Sequence, residues 1–340
     1  MSHSLIVLPD DTALPIVAAI DAAHRKLRVK MFLFSDPTLL DALVRARKRG
    51  VEVRVMLNPA RRSGEEENVA TRAALAHARI DVADSNPAFD LTHEKSMVVD
   101  DHTAFVKSLN WETRNLTQTR DYAVVTRVPE EVAEIAAGFE ADWHRTPFEP
   151  GHASRMVWCS VNGRERIAHF IDSARESLWL QNERYQDTVI IERLVRAVRR
   201  GVKVHVLARP PHTLKKDKLI EGVGGLRILQ DVGAKVHKPK GLRLHAKMLL
   251  ADNARAIVGS INLTPGSFDA RRELAIETDD PAVVTRLHDV AHKDWKSSKK
   301  LDLTDEGLLA DLAKRDTGGA EKLVLDDKHH DDKHHDAKDD

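Results

Sequence analysis

The sequence predicts an α/β protein made of two tandem copies of one fold, related by a pseudo-twofold axis. Three observations carry that prediction. Apolar runs of strand length alternate with amphipathic helical stretches, the pattern of a sheet covered by helices. The alternation then repeats: IDAAHRKL at 20–27 matches IDSARESL at 171–178, and LVRARKRGVEVRV at 43–55 matches LVRAVRRGVKVHV at 194–206, an offset of 151. Finally, one constellation of polar residues occurs twice with the same internal spacings. Self-similarity over so long a period means two copies of one unit, not a short-period solenoid.

Taken in order, residues 4–8 form a short apolar run closed by Pro9, and 14–26 carry helical periodicity. A strand is expected over 27–34, an amphipathic helix over 37–49 and a further strand over 51–57. Gly50 suits the position just past that helix, and the basic residues before it complement the helix dipole. The second copy repeats this order. Its offset becomes 152 at the polar boxes and stays so through Pro129/Pro281 and the Asp-Trp pairs at 142–143 and 294–295. Pro and Gly punctuate the chain at 149–151, so the halves are placed at 1–150 and 151–300, with a C-terminal extension at 301–340. Residues 326–340, DDKHHDDKHHDAKDD, are low-complexity and predict a disordered acidic, histidine-rich tail. Two halves on so short a linker pack about a pseudo-twofold, and such an axis is where matching sites meet.

Lys+Arg and Asp+Glu both number 53 among the 340 residues, so net charge excludes neither anionic nor cationic partners. The last twenty residues hold eight acids and four lysines, which leaves a mildly positive body of 49 basic against 45 acidic residues. That balance suits a phosphate-bearing substrate without the strongly basic surface of a tight nucleic-acid binder. The single cysteine, Cys159, excludes an intramolecular disulfide and reads as a small buried hydrophobe. The N-terminus has no basic region ahead of its short apolar run, and no stretch approaches the ~20 apolar residues of a spanning helix. The expectation is a soluble, cytoplasmic protein that meets any lipid substrate from the membrane surface.

The repeated constellation carries the chemistry. His93, Lys95, Asp100, Ser108, Asn110 and Asp121 recur as His245, Lys247, Asp252, Ser260, Asn262 and Glu273. In an extended strand, positions i and i+2 share a face, so each His-Lys pair is expected to point one way. Lys and Asn supply donors for phosphoryl oxygens, where negative charge builds up during displacement. Two histidines permit one to attack and the other to protonate the departing oxygen. An attacking imidazole needs a free nitrogen, which a carboxylate on the other nitrogen secures. Asp121 and Glu273, each twenty-eight residues after the histidine of its own half, are the candidates.

This doubled H-x-K-x4-D box with a downstream S-x-N resembles the phospholipase D superfamily, and the similarity covers residues 4–298. The resemblance implies two phospholipase D-like α/β halves, each with a mixed central sheet flanked by helices, around one shared active site. It also implies a phosphohistidine route that needs no metal or cofactor. Since one chain carries both halves, a monomer suffices to form the site. By position, His93 would be the nucleophile and His245 the general acid. Lys95, Lys247, Asn110 and Asn262, with Ser108 and Ser260 beside them, would hold the phosphate. Asp121 and Glu273 would orient the histidines, and Asp100 and Asp252 would brace the boxes. The first half departs from the pattern: Lys107-Ser108 stands where the second has Gly259-Ser260. The implied activity is phosphodiester hydrolysis or transphosphatidylation on phospholipid, as in bacterial phospholipase D and cardiolipin synthase-like members. A nuclease acting on DNA or RNA is the alternative, and a non-catalytic phosphate-binding module a distant third. Beyond the boxes, Trp111 reads equally as a stacking or a packing residue. Arg209, Lys215, Lys216, Lys218 and the basic residues of 235–247 read equally as a funnel for an anion or as a solvated loop.

Overall fold

The computed structural model describes residues 3–60, 66–151, 154–213 and 219–316. In the first half the order is β1 (His3–Leu8), α1 (Leu14–Asp21), β2 (Lys26–Met31), α2 (Pro37–Lys48), β3 (Glu52–Leu57), α3 (Val69–His77) and β4 (Asp81–Asp84). It continues with β5 (Leu91–Thr92), β6 (Ser96–Val99), β7 (Thr103–Lys107), α4 (Thr113–Thr117), β8 (Thr119–Thr126) and α5 (Pro129–His144). The second half runs β9 (Met156–Cys159), α6 (Gly163–Ser173), β10 (Ser177–Gln181), α7 (Thr188–Arg199), β11 (Lys203–Leu207), α8 (Leu219–Asp231) and β12 (Lys235–Lys238). It closes with β13 (Arg243–Leu244), β14 (Met248–Ala251), β15 (Arg255–Gly259), α9 (Pro265–Asp269), β16 (Arg271–Thr278), α10 (Pro281–Ser297), β17 (Lys299–Lys300) and α11 (Asp305–Asp316).

Each half builds a mixed sheet. The first runs β1-β8-β7-β6-β2-β3-β4, the second β17-β12-β11-β10-β14-β15-β16, with β9 on the far side of β16. β2, β3 and β4 are parallel, as are β10, β11 and β12, because helices return the chain between them. Local chemistry repeats with the fold. Asp36 caps α2 through the Leu39 amide and Asp187 caps α7 through the Ile190 amide, both at 3.1 Å. Gly50 and Gly201 follow those helices with φ of 92° and 90°, the left-handed geometry that favours glycine.

The two halves are not independent bodies. One apolar cluster underlies the first sheet and one the second. A third draws on both: Val7, Val106 and Tyr122 pack with Trp158, Met248, Val258 and Ile276. The halves also exchange strands. β5 leaves its own sheet and pairs in parallel with β16, while β13 pairs in parallel with β8.

Three expectations change. The first helix ends at Asp21 rather than 26. The C-terminal extension begins inside the second half: Leu301 and Leu303 are buried in its core, and the Leu301 amide donates to Val236. The His-Lys pairs lie not within a strand but in the irregular links β5–β6 and β13–β14, because those links carry the chain from one sheet to the other. The histidine-rich tail, with Lys215, Lys216 and Lys218, lies outside the described residues. No helix among the described residues is long and apolar enough to cross a membrane.

Candidate active site

The strand exchange determines which carboxylate reaches which histidine. The amides of His93 and Glu94 both donate to the Arg272 carbonyl at 2.9 Å, docking the first box beside Glu273. His245 is docked the same way, its amide donating to the Arg120 carbonyl beside Asp121 at 3.3 Å. His93 Nδ1 therefore meets Glu273 Oε2 at 2.9 Å, and His245 Nδ1 meets Asp121 Oδ1 at 2.8 Å. Each histidine takes its carboxylate from the opposite half, not from its own. His93 Nδ1 also lies 3.2 Å from the Ser260 carbonyl, which can only accept. Nδ1 thus carries the hydrogen and Nε2 is left free in the neutral ring.

The arginines before these carboxylates are reciprocal too. Arg272 reaches Asp142 at 2.8 Å, and Arg120 reaches Asp294 at 2.8 Å, so each strand grips the last long helix of the other half. Lys30 joins the first of these clusters, at 2.6 Å from Asp142 and 2.9 Å from Glu94. Arg120, Arg272 and Asp142 are buried and Asp294 partly so, and each ion is paired, as burial requires.

The remaining box residues fall in several places. Lys95 Nζ donates to the His93 carbonyl at 2.6 Å, and Lys247 Nζ to the His245 carbonyl at 2.5 Å. Burial and the charge of Lys247 push the Lys95 amine down to about 7. His93 is pushed well below the ordinary histidine value by burial, then by Lys95, Lys247, Arg271 and His245. Asp100 accepts from the amides of His24, Arg25 and Lys26, each at 2.8 Å; Asp252 accepts from those of Arg175, Glu176 and Ser177 at 2.8–2.9 Å. Burial raises both carboxyls, but the three amides outweigh it and hold them below the usual range. Both residues pin the turn before a parallel strand.

Ser108 and Ser260 depart from the phosphate-holding role implied for them. Both are fully buried with their hydroxyls engaged: Ser108 donates to Asp121 at 2.6 Å, and each also bonds the strand beyond it. Asn110 and Asn262 stand two residues on, past the ends of β7 and β15, each with a buried Oδ1 that lacks a hydrogen-bond partner among the described residues. Lys107 departs from its counterpart in the second half. It is fully buried over the Trp111 ring at 5.0 Å, and burial drives its amine well below the ordinary value. Gly259, its counterpart, leaves no such room, since a Cβ there would fall 2.3 Å from Ala275 Cα. Trp111 is itself a packing residue, edge-on to Phe34 at 4.9 Å. Arg209 is half-buried and engaged by a carboxylate, Nη1 donating to Glu183 at 2.9 Å.

Glu183 escaped the sequence reading. It accepts from Lys247 Nζ at 2.6 Å and lies 3.8 Å from His245 Nε2. Its counterpart 151 residues earlier is Phe32, which packs edge-on against His93 at 4.9 Å and lies 5.2 Å under Lys95 Nζ. The signal available was a charged residue two positions beyond the strand SLWLQ, where the first copy has an aromatic one.

Comparison with known proteins identifies the family and the fold. The cardiolipin synthase, phospholipase D-like domain family model matches residues 16–143 and again 167–295. A cardiolipin synthase A of Pseudomonas aeruginosa is 28% identical over 242 residues, covering 63% of this chain and 48% of that protein. A cardiolipin synthase B of Salmonella typhimurium is 25% identical over 307 residues, covering 76% of this chain and 71% of that protein. The chain thus spans about half the length of the first of these relatives. The crystal structure of a phosphatidylserine synthase from Haemophilus influenzae superposes with a TM-score of 0.70 over 95% of both chains at 12% identity, a likeness of fold. With one family model matched by both halves across most of the sequence, the chain belongs to the phospholipase D superfamily.

Proposed function

We propose that the protein cleaves or transfers phosphatidyl groups of phospholipids through a phosphohistidine on His93. The observation that carries the reading is the pair of imidazoles whose Nδ1 atoms are held by carboxylates of the opposite half, which leaves Nε2 of His93 to attack and Nε2 of His245 to carry the proton. In the first step His93 Nε2 forms the N–P bond, the P–O bond to the leaving group breaks, and His245 gives that oxygen its proton. In the second, water or an alcohol adds to phosphorus, loses its proton to His245, and the N–P bond breaks. Lys95, Lys247, Asn110 and Asn262 hold the phosphoryl oxygens, while Ser108 steadies Asp121 instead. Glu273 and Asp121 fix the tautomers.

Phospholipid is the substrate class that the cardiolipin synthase relatives support. The site residues need no metal for this chemistry, and the substrate is met at a membrane surface. The test is incubation in EDTA with phosphatidylglycerol and, in parallel, single-stranded DNA. Cardiolipin or phosphatidate is the expected product. Cut DNA with untouched lipid would overturn the substrate assignment, and loss of all turnover in EDTA would overturn the mechanism.

A further inference from the structure

The two halves of the site are equivalent in backbone but not in charge. Around His93 stand the Phe32 ring, Glu273 and the cations Lys95, Lys247 and Arg271. Burial raises the Glu273 carboxyl above the usual range. His245 instead meets two carboxylates, Asp121 at Nδ1 and Glu183 near Nε2. Burial works against both, yet the charges of His245 and Lys247 hold each below the usual range. Ser108 and Thr119, both at 2.6 Å, support Asp121 further. Lys247 and Arg209 clamp Glu183 from either side, so its carboxylate is fixed in place. A phenyl ring stabilises the neutral imidazole beside it, and an ionised carboxylate stabilises an imidazolium.

We propose that Glu183, standing where the first half has Phe32, is the positioning residue that sets the direction of the reaction. It keeps the proton on His245 and so leaves the attack to His93. The inference rests on the phosphohistidine reading, but it concerns which imidazole holds the proton, a property of the resting protein.

Leaving groups separate this role from a structural one, because 4-nitrophenolate departs without a proton and phenolate draws on one. In Glu183→Gln, kcat/KM for diphenyl phosphate should fall by about a hundredfold, the scale of a lost general acid, while bis(4-nitrophenyl) phosphate loses less than about threefold. Glu183→Asp should recover part of the loss. By NMR, the His245 imidazole signal, assigned through its loss in His245→Asn, should titrate at lower pH in Glu183→Gln than in the unmodified protein. Equal losses on both diesters, or an unmoved His245 titration, would overturn the proposal. Absence of turnover on either diester in the unmodified protein would instead strike the phosphohistidine reading, and the titration alone would then decide the role of Glu183.

Discussion

Single residues decide which protonation states the site can offer. His93 and His245 are held alike at Nδ1, and burial, then Lys95, Lys247, Arg271 and His245, favour the neutral form of His93. Lys95 is the residue with the clearest pH consequence, its amine pushed down to about 7 by burial and Lys247. Below that pH it is charged and attracts an anion; above it the charge is lost. Affinity for inorganic phosphate or vanadate should therefore weaken as pH rises through about 7, approaching a tenfold loss per unit where one proton must be taken up on binding. Titration calorimetry would measure it, and an affinity flat across that range would show Lys95 charged throughout. The His, Lys, Asn and carboxylates of the proposed chemistry were legible in the sequence because they repeat at fixed spacing. Glu183 was not, because it matters by differing from Phe32, and a repeat reveals what is the same.

Elements carry the exchange that the sequence did not disclose. The register of β5 on β16 pairs Thr92 with Arg272, and that of β13 on β8 pairs Leu244 with Arg120, so the next residue on each side brings a histidine to the other half's carboxylate. Spacing within a half could name Asp121 and Glu273 but not cross them, since pairing is a three-dimensional fact that a two-residue strand leaves no apolar pattern to announce. The buried Arg272–Asp142 pair and the partly buried Arg120–Asp294 pair fix that crossing. Arg272→Ala leaves buried Asp142 with Lys30 alone and should destabilise the fold by about 3 kcal/mol, the low end for a broken buried pair, in denaturant unfolding, whereas an exposed pair such as Arg45–Asp21 should cost under about 1 kcal/mol.

On the β10–β12 face Trp179 stacks on His205 at 4.1 Å and Trp295 on His237 at 3.8 Å, beneath α10. Burial, then Lys235, pushes His205 down to about 4. In the unfolded chain it titrates near ~6.5. Its contribution is therefore present above the unfolded value and lost as pH falls from ~6.5 toward 4. Melting temperature should rise with pH across that window, and His205→Phe should flatten the rise. A slope unchanged in that variant would place the titration elsewhere.

At the scale of the whole molecule, the two halves share one apolar cluster. The duplicated fold and its two-sheet architecture could be read from the 151-residue repeat, since hydrophobic period and turn chemistry survive duplication. That the copies share a core could not be read, because an inward face looks the same whether it packs on its own helices or on a sister sheet. The mixed cluster of Val7, Val106 and Tyr122 with Trp158, Met248 and Val258 predicts a single calorimetric unfolding transition whose calorimetric and van't Hoff enthalpies agree. Two separable transitions would mean that the halves stand alone.

The central claim is one active site built from both halves, with His93 attacking and His245 supplying the proton. Its most direct test is rapid quenching of His245→Asn during reaction with bis(4-nitrophenyl) phosphate, followed by mass mapping of the peptides. The claim predicts an acid-labile 4-nitrophenyl phosphoryl adduct on the peptide that carries His93, absent in His93→Asn. An adduct on another residue, or full turnover by His93→Asn, would contradict it.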